Sequence, residues 1–378
     1  MPLSKIQTAD MLDTSNLGRR NLITNGAMQI AQRRPAQTYN QTPNSGNYHT
    51  VDRFSYRRQG TWSGVTAVAL SQQTTGGPTG LPHFLRYAPT GSDSTTPTDS
   101  AMYVDYKFED KDTVSLSLGN SDAQPFTLSF YVRSTVTGTF SVTFSDASSS
   151  APYTRYVSTY TINTANTWER KTISVPAITS GTWSTDDRSL SIYFMVSGDS
   201  DGASATSTLN QWSTHSNADI RMATTQTEGM TNQTGQTWDI TGVQLESGTT
   251  ATDFEHRSFG EELALCQRYY QKSYDYDVTP GATTQVGAVY NRYAAAVSNQ
   301  PTAFVWAVTM CTNPTVTIYS LNGTAGNISD CSTGLNHVQN DAASISGTVG
   351  ENGVAKLVSV TVTAGDNIAF HYTADAEL

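Results

Sequence analysis

Charge is scarce in this chain. Lys, Arg, Asp and Glu make up only 14% of its 378 residues. Ser, Thr, Asn, Gln and Gly fill the polar positions instead. The shortage does not signal disorder, because 19 Tyr and recurrent β-branched residues can supply a core. Cysteine is scarce too. Cys266, Cys311 and Cys331 are odd in number and widely spaced, which argues against a disulfide framework. No apolar run approaches about 18 residues, so no membrane insertion is expected. Met1 to Asp13 lacks an apolar signal-peptide core, and folding in the cytosol is expected. The six histidines lie far apart and no C-x-x-C occurs, which disfavours zinc. No fixed-period repeat is visible, which disfavours solenoids and propellers.

The formal charge of −10 is unevenly spread. Residues 1–60 hold eight Lys and Arg against three Asp. The acidic remainder disfavours nucleic acid as a partner. The basic head either docks on an acidic partner or pairs with carboxylates inside the fold. Sequence leaves both open.

What is present is β patterning. The stretch from Thr237 to Lys272 organises the rest. Trp238, Ile240, Val243 and Leu245 alternate with polar residues as in a strand, with one slip of phase at Gly242 that predicts a bulge. Turn residues follow. Ser258-Phe-Gly-Glu261 then reads as a capping box opening a short helix. Further strands are predicted at Val65–Leu70, Phe84–Tyr87, Met102–Phe108, Phe126–Arg133, Thr139–Phe144, Tyr156–Ile162, Trp168–Val175 and Leu190–Val196. Asn21–Ile30 reads as a strand with an Asn25-Gly26 turn, and Val51-Asp-Arg-Phe54 opens another, with Asp52 and Arg53 as a local ion pair. Ser197 to Gly235 reads as a long polar insertion. Beyond the helix, shorter strands recur, among them Thr315–Tyr319, Lys356–Val362 and Ile368–Tyr372.

The expected fold is all-β: a jelly-roll β-sandwich, a short linking helix, and a smaller C-terminal β-sandwich domain. The expected divisions are an N-terminal assembly arm at 1–20, the jelly roll at 21–257, the helix at 258–273 and the last domain at 274–378. The arm has too few apolar residues to order alone.

Three catalytic or metal patterns stand against this background. Gly198-Asp-Ser-Asp-Gly202 matches a serine-esterase elbow, with Asp253 and His256 as acid and base, but no helix follows the serine. Asp199 and Asp201 open a hard-cation loop whose later ligands are missing. No carboxylate pair is singled out for glycoside hydrolysis. The reading is therefore no catalytic residue, no cofactor and no metal. Aromatics in loops are the better lead, because sugar rings pack their C–H faces on indole and phenol rings. Trp183, Trp212 and His215 are the candidate glycan-binding residues. Trp62, Tyr153 and Tyr156 are weaker ones. Trp168 and Trp238 alternate within strands and are expected in the core.

Three segments carry a resemblance. They are Asn21-Leu-Ile-Thr-Asn-Gly-Ala-Met-Gln-Ile-Ala-Gln-Arg33, Val51-Asp-Arg-Phe54, and Trp238–Glu246 with Phe254-Glu-His-Arg257 and Cys266-Gln-Arg-Tyr-Tyr270. Together they resemble tail-fibre and related receptor-binding virion proteins of tailed bacteriophages, including cyanobacterial podoviruses. The same region, about 21–272, is similar to carbohydrate-binding jelly rolls. The resemblance implies a virion component, assembled in the host cytoplasm as a homotrimer. It implies attachment to other virion proteins through the N-terminal arm, and recognition of host surface polysaccharide by binding alone. Two alternatives stand beside it: a structural head fibre or decoration protein, and a polysaccharide depolymerase or esterase. Related jelly rolls place an acid after Asn-Gly where calcium is held. Ala27 stands there, so no metal site is carried over.

Overall fold

The computed structural model describes residues 19–40, 46–60, 62–93, 95–146, 151–181, 183, 188–217, 221–231, 234–292, 297–298, 303–331, 339–342, 349–355, 361–362 and 367–378. Nearly all of the expected assembly arm lies outside them, as does most of the strand expected at 356–362. The chain is all-β apart from one short α-helix and three single 3-10 turns, and it forms two units among the described residues. The first contains residues 54–257, with 38–47 and the chain up to Gln29. The second contains 258–378 with 30–37 and 48–53. The expected bounds, by contrast, put 30–37 and 48–53 in the jelly roll and make 258–273 a linking helix.

The first unit is a sandwich of two antiparallel sheets. Its strands are β1 (Ala36–Asn40), β2 (Gly46–Tyr48), β3 (Phe54–Gln59), β4 (Val65–Gln73), β5 (Phe84–Gly91), β6 (Ala101–Lys107), β7 (Phe126–Ser134), β8 (Gly138–Asp146), β9 (Tyr153–Ile162) and β10 (Glu169–Val175). The series ends with β11 (Leu190–Gly198), β12 (Ala205–Thr206), β13 (Trp212–His215), β14 (Met222–Ala223) and β15 (Trp238–Ser247). One sheet has the order β1-β4-β5-β15-β7-β10, the other β13-β9-β8-β11-β6-β3-β2. Because side chains alternate along a strand, one parity of each sheet faces the other sheet. Phe126 meets Phe144 at 5.3 Å and Phe130 meets Phe194 at 5.3 Å across the gap. Trp238 is fully buried there, and its indole N–H donates to the Tyr160 hydroxyl at 3.2 Å. Each buried aromatic of this kind stabilises by about 1.5–3 kcal/mol.

β15 carries the expected bulge. Its pairing with β7 slips by one residue between Thr241 and Gln244, and Gly242 has φ +60°. A side chain there would be strained by that backbone and would strike Leu81 and Tyr131. The bulge restores Val243 and Leu245 to the core face.

Several expectations give way. Asn21–Ile30 is not a strand. It runs beside β15, joined to it by backbone bonds from Leu22 N to Leu245 O (2.9 Å) and from Val243 N to Gly26 O (2.9 Å). The Asn21 side chain takes over, accepting from Ile23 and Leu245 N–H and donating to the Val243 carbonyl. Trp168 is not in the core. It lies half-buried on the outer face of the first sheet, packed on Phe84, with Arg133 over its ring at 4.6 Å. On the same face Asp239, fully buried, accepts paired bonds from Arg86 (2.8 and 2.9 Å) and from Arg133 (2.9 and 2.7 Å).

The second unit begins with helix α1 (Phe259–Gln267), where the Ser258 hydroxyl accepts from Glu261 N–H as the capping pattern predicts. Strands β16 (Tyr270–Lys272), β17 (Val289–Arg292), β18 (Val297–Ser298), β19 (Phe304–Val305), β20 (Thr315–Tyr319), β21 (Asn327–Asp330), β22 (Gln339–Ala342), β23 (Val349–Gly350), β24 (Gly353–Val354), β25 (Thr361–Val362) and β26 (Asn367–Asp375) follow. β26 is central, with β16 and β17 along one edge and β20 and β21 along the other. Ile318, Ile328, Ile368 and Phe370 make one core cluster.

Among the described residues, Arg20, Arg33 and Arg53 of the basic head pair with carboxylates inside the fold. In the second unit Arg33 reaches Asp375 at 3.0 Å, Glu377 at 3.3 Å and Asp52 at 3.8 Å, and lies over Tyr270 at 3.9 Å. Burial opposes its charge, but the three carboxylates more than offset this, so its pKa sits above the ordinary arginine value. Arg53 binds Glu377 and covers Tyr269. Asp52 and Arg53, expected as a local pair, are thus given different principal partners. Among the described residues, no helix is long and apolar enough to cross a membrane.

Candidate functional site

A groove in the first unit carries the first candidate, Trp183. Its floor is built by two 3-10 turns, Asp110–Asp112 and Val114–Leu116. Leu116 is fully buried and anchors the second turn. Ser117 then takes a left-handed conformation (φ 47°), and Gly119 follows at φ +80°. Gly119 N–H donates to the Ile178 carbonyl at 2.8 Å, tying this loop to the one that carries Trp183. Gly119 is required for a second reason. A Cβ there would stand 2.5 Å from Trp183 Cδ1.

The resulting cavity holds about 560 Å³. Trp183, half-buried, forms an aromatic wall. Asp110, Thr113, Ser117, Asn120 and Ser189 supply polar lining, and Val114 and Leu118 supply apolar lining. Val114 is 70% exposed, an open position for an apolar side chain. Some polar capacity is spent internally: Thr113 and Ser189 hydroxyls lie 2.5 Å apart, and Asp110 Oδ1 accepts from Lys111 N–H. The Trp183 indole N–H has no hydrogen-bond partner among the described residues. An indole face with acceptors and hydroxyls around it can take a sugar ring by C–H contact and bind its hydroxyls.

Trp212 stands edge-on behind Trp183, with centroids 5.6 Å apart and planes at 85°. It is not in an open loop. The 197–235 insertion contains strand β13, which pairs with β9 at the edge of the second sheet. Trp212 faces the sandwich interior beside Tyr156 (5.4 Å) and Phe126 (6.5 Å), and its indole N–H donates to the Pro176 carbonyl at 2.8 Å. It closes the end of the core and backs Trp183.

His215 lies three residues along the same strand, so it points to the opposite face. Its Nε2 is 2.8 Å from the Ser213 hydroxyl, and burial, helped by nearby Arg155, lowers its pKa. The structure therefore joins Trp183 with Trp212 and leaves His215 apart. Trp62 and Tyr156 are buried, whereas Tyr153 is half-buried.

His215 shares its face with a ladder that sequence reasoning missed. Arg155 lies between Tyr153 and Tyr193, and Arg221 between Tyr193 and Tyr103, at 5.1–6.0 Å from the ring centroids. Part of the signal was available: Tyr103, Tyr153, Arg155 and Tyr193 occupy the parity opposite the core-facing one in β6, β9 and β11, whereas Arg221 comes from the insertion. Met222 and Ala205 of the insertion pack onto Tyr103 and Met195. The insertion thus covers much of this face.

The other motifs resolve as local structure. Ser200 donates to Glu228 at 2.6 Å, and no hydrogen bond links it to His256, whose ring packs on Phe254. Asp199 accepts from Asp99 and Asp201 N–H groups.

No protein-family model matches the sequence, and no curated protein does. Solved structures share part of the chain path. One is the enzymatically active domain of tailspike protein 4 of bacteriophage CBA120, at 10% identity and a TM-score of 0.32, covering 61% of this chain and 22% of that one. The chain thus spans less than a quarter of that tailspike domain's length. A carbohydrate-binding module of family 4 is similar at 13% identity and a TM-score of 0.28, over 60% of this chain and 99% of that one. A family 11 module from a cellulosomal cellulase of Clostridium thermocellum is similar at 13% identity and a TM-score of 0.27, over 55% and 95%. At these TM-scores the likeness says nothing of ligands.

Proposed function

We propose that this chain is a bacteriophage virion fibre protein that attaches the particle to host surface glycans by non-covalent binding. The observation that carries the reading is the groove at Trp183: an indole wall, polar side chains around it, and a second indole holding the first in place. The virion assignment is supported by the resemblance of residues 21–272 to tail-fibre proteins. In this reading the chain acts as a homotrimer, and its N-terminal arm joins other virion proteins. Each groove binds weakly, and linked copies raise avidity by about 10²–10⁴ without any new contact. No bond in the glycan is broken.

The test compares wild type with Trp183→Ala on purified host polysaccharide. An indole at the centre of a binding site is worth about 2 kcal/mol, so Kd rises about 30-fold. Equal binding by both proteins would sink the assignment of the groove. Release of oligosaccharides or acetate during incubation would replace binding with catalysis. Trp212→Ala is expected to weaken binding and stability together, because Trp212 also seals the core.

A further inference from the structure

The groove's charge restricts what it can take. Among the described residues, Asp110 alone of the lining side chains is ionisable, and the lining contains no Lys, Arg or His. Asp122, which accepts from the Ser117 hydroxyl at 3.4 Å, adds a second carboxylate nearby. Lys111 follows Asp110 in sequence but lines a separate cavity of about 260 Å³ with Arg19 and Arg257. Among the described lining residues, an anionic sugar against Trp183 would therefore meet a carboxylate and no balancing cation. Acidic glycans are usually held by Arg forks that match a carboxylate or phosphate, and the described lining of this groove has none.

We infer that the groove selects neutral or amino-bearing glycans and rejects uronate, sialylated and phosphorylated ones, with Asp110 as the specificity-determining residue. This rests on the groove being the glycan site. A neutral hexose gives Trp183 its C–H face and its hydroxyls to Ser117, Asn120 and the Asp110 carboxylate. An amine on the sugar adds a charge-assisted bond to Asp110. A carboxylate about 6 Å from Asp110, under effective dielectric constants between those of a protein surface and of water, is disfavoured on the order of tenfold. The repulsion is screened, so added salt weakens it.

The experiment uses the full chain and three probe sets: neutral glucan and mannan oligosaccharides, chitosan oligomers, and oligouronates with sialylated oligosaccharides. Kd is measured at low salt and at 0.5 M salt for wild type, Asp110→Asn and Asp110→Glu. The expected wild-type order is chitosan or neutral first, with the acidic set on the order of tenfold weaker and the gap narrowing in high salt. Asp110→Asn closes the gap, and Asp110→Glu keeps it. Acidic probes binding wild type as well as neutral ones, a ratio unmoved by Asp110→Asn, or silence of the neutral and amino sets together overturns the inference. Trp183→Ala separates the two levels. If it leaves neutral binding unchanged, the groove itself is wrong; if it abolishes binding while the charge ratio stays flat, only the selectivity is wrong.

Discussion

Replacing Gly119 by Ala tests whether Trp183 must stand where it does. The new Cβ would lie 2.5 Å from Trp183 Cδ1, 3.1 Å from its Nε1 and 3.2 Å from the Gly181 carbonyl. Carbon atoms in favourable contact sit about 3.5–4.0 Å apart, so the indole has to retreat by about 1 Å. The indole is the part able to move, because the carbonyl belongs to backbone. The left-handed conformation at +80° adds about 1–2 kcal/mol for a residue with a Cβ. Gly76→Ala supplies the control: Gly76 has φ +87°, but nothing lies within 4 Å of its Cβ position. Both variants carry the backbone strain, and Gly119→Ala should lose more stability in urea because it also displaces the indole. Gly119→Ala alone should weaken polysaccharide binding, towards the roughly 30-fold of Trp183→Ala, and shift tryptophan emission. Wild-type affinity in a folded Gly119→Ala protein would refute the claim that this glycine positions the platform.

Two further predictions concern stability. Asp239→Ala strips the buried acceptor from Arg86 and Arg133. Breaking a buried pair costs about 3–5 kcal/mol, but the arginine side chains are 31% and 20% exposed, so water recovers part and about 2–3 kcal/mol is expected in urea unfolding. A loss below about 1 kcal/mol would show that the bridge is ornamental. Acidification should weaken the second unit. His371 stacks on Tyr274 at 3.9 Å, its Nε2 lies 3.1 Å from the Thr284 carbonyl, and its Nδ1 2.9 Å from the Ser273 hydroxyl. A carbonyl only accepts, so Nε2 carries a proton. Burial lowers the pKa of His371, and burial with Arg33 and Arg34 lowers that of His49 to about 3. The unfolded chain therefore takes up these protons first, and stability falls as pH drops below about 6.5. Asp52 opposes this below about pH 6, because burial raises its carboxyl to about 6 in the native state. Denaturation midpoints at pH 7.5 and 6.0 check the sign; a higher midpoint at pH 6.0 would contradict it.

The parts of the fold that sequence revealed are those where one physical rule acts alone. Alternation in β7, β11 and β15 follows from burying one face, and the slip at Gly242 is visible because it breaks that alternation. Ser258 is legible because a cap is local. Where a side chain replaces the backbone as partner, the reading fails. Asn21 mimics a strand's bonding with its amide, so Asn21–Ile30 has the composition of a strand without being one. Trp168 fails for a related reason. Alternation marks which residues share a face, but not which face is inside, and here Arg133 covers an indole on the outer one. The destiny of the basic head depended on carboxylates more than 300 residues away, such as Glu377 for Arg33 and Arg53.

The site was half legible for the same reasons. Loop tryptophans were visible in the sequence, but their company was not. Period-two geometry could have separated Trp212 from His215 once 212–215 was seen as a strand. Its Ser and Thr content concealed that, and only pairing with β9 settled it. The consequence bears on function. Trp212 is shared between core and groove, so the ring behind Trp183 is held by Phe126, Tyr156 and the Pro176 carbonyl rather than by solvent. A wall held this way loses little freedom when a ligand arrives, and preorganisation is what lets a small polar groove bind at all. A mobile tryptophan in an open insertion would have had to order itself on each encounter. The difference is measurable: Trp212→Phe should keep the core closed yet loosen Trp183, so glycan affinity should fall more than stability does.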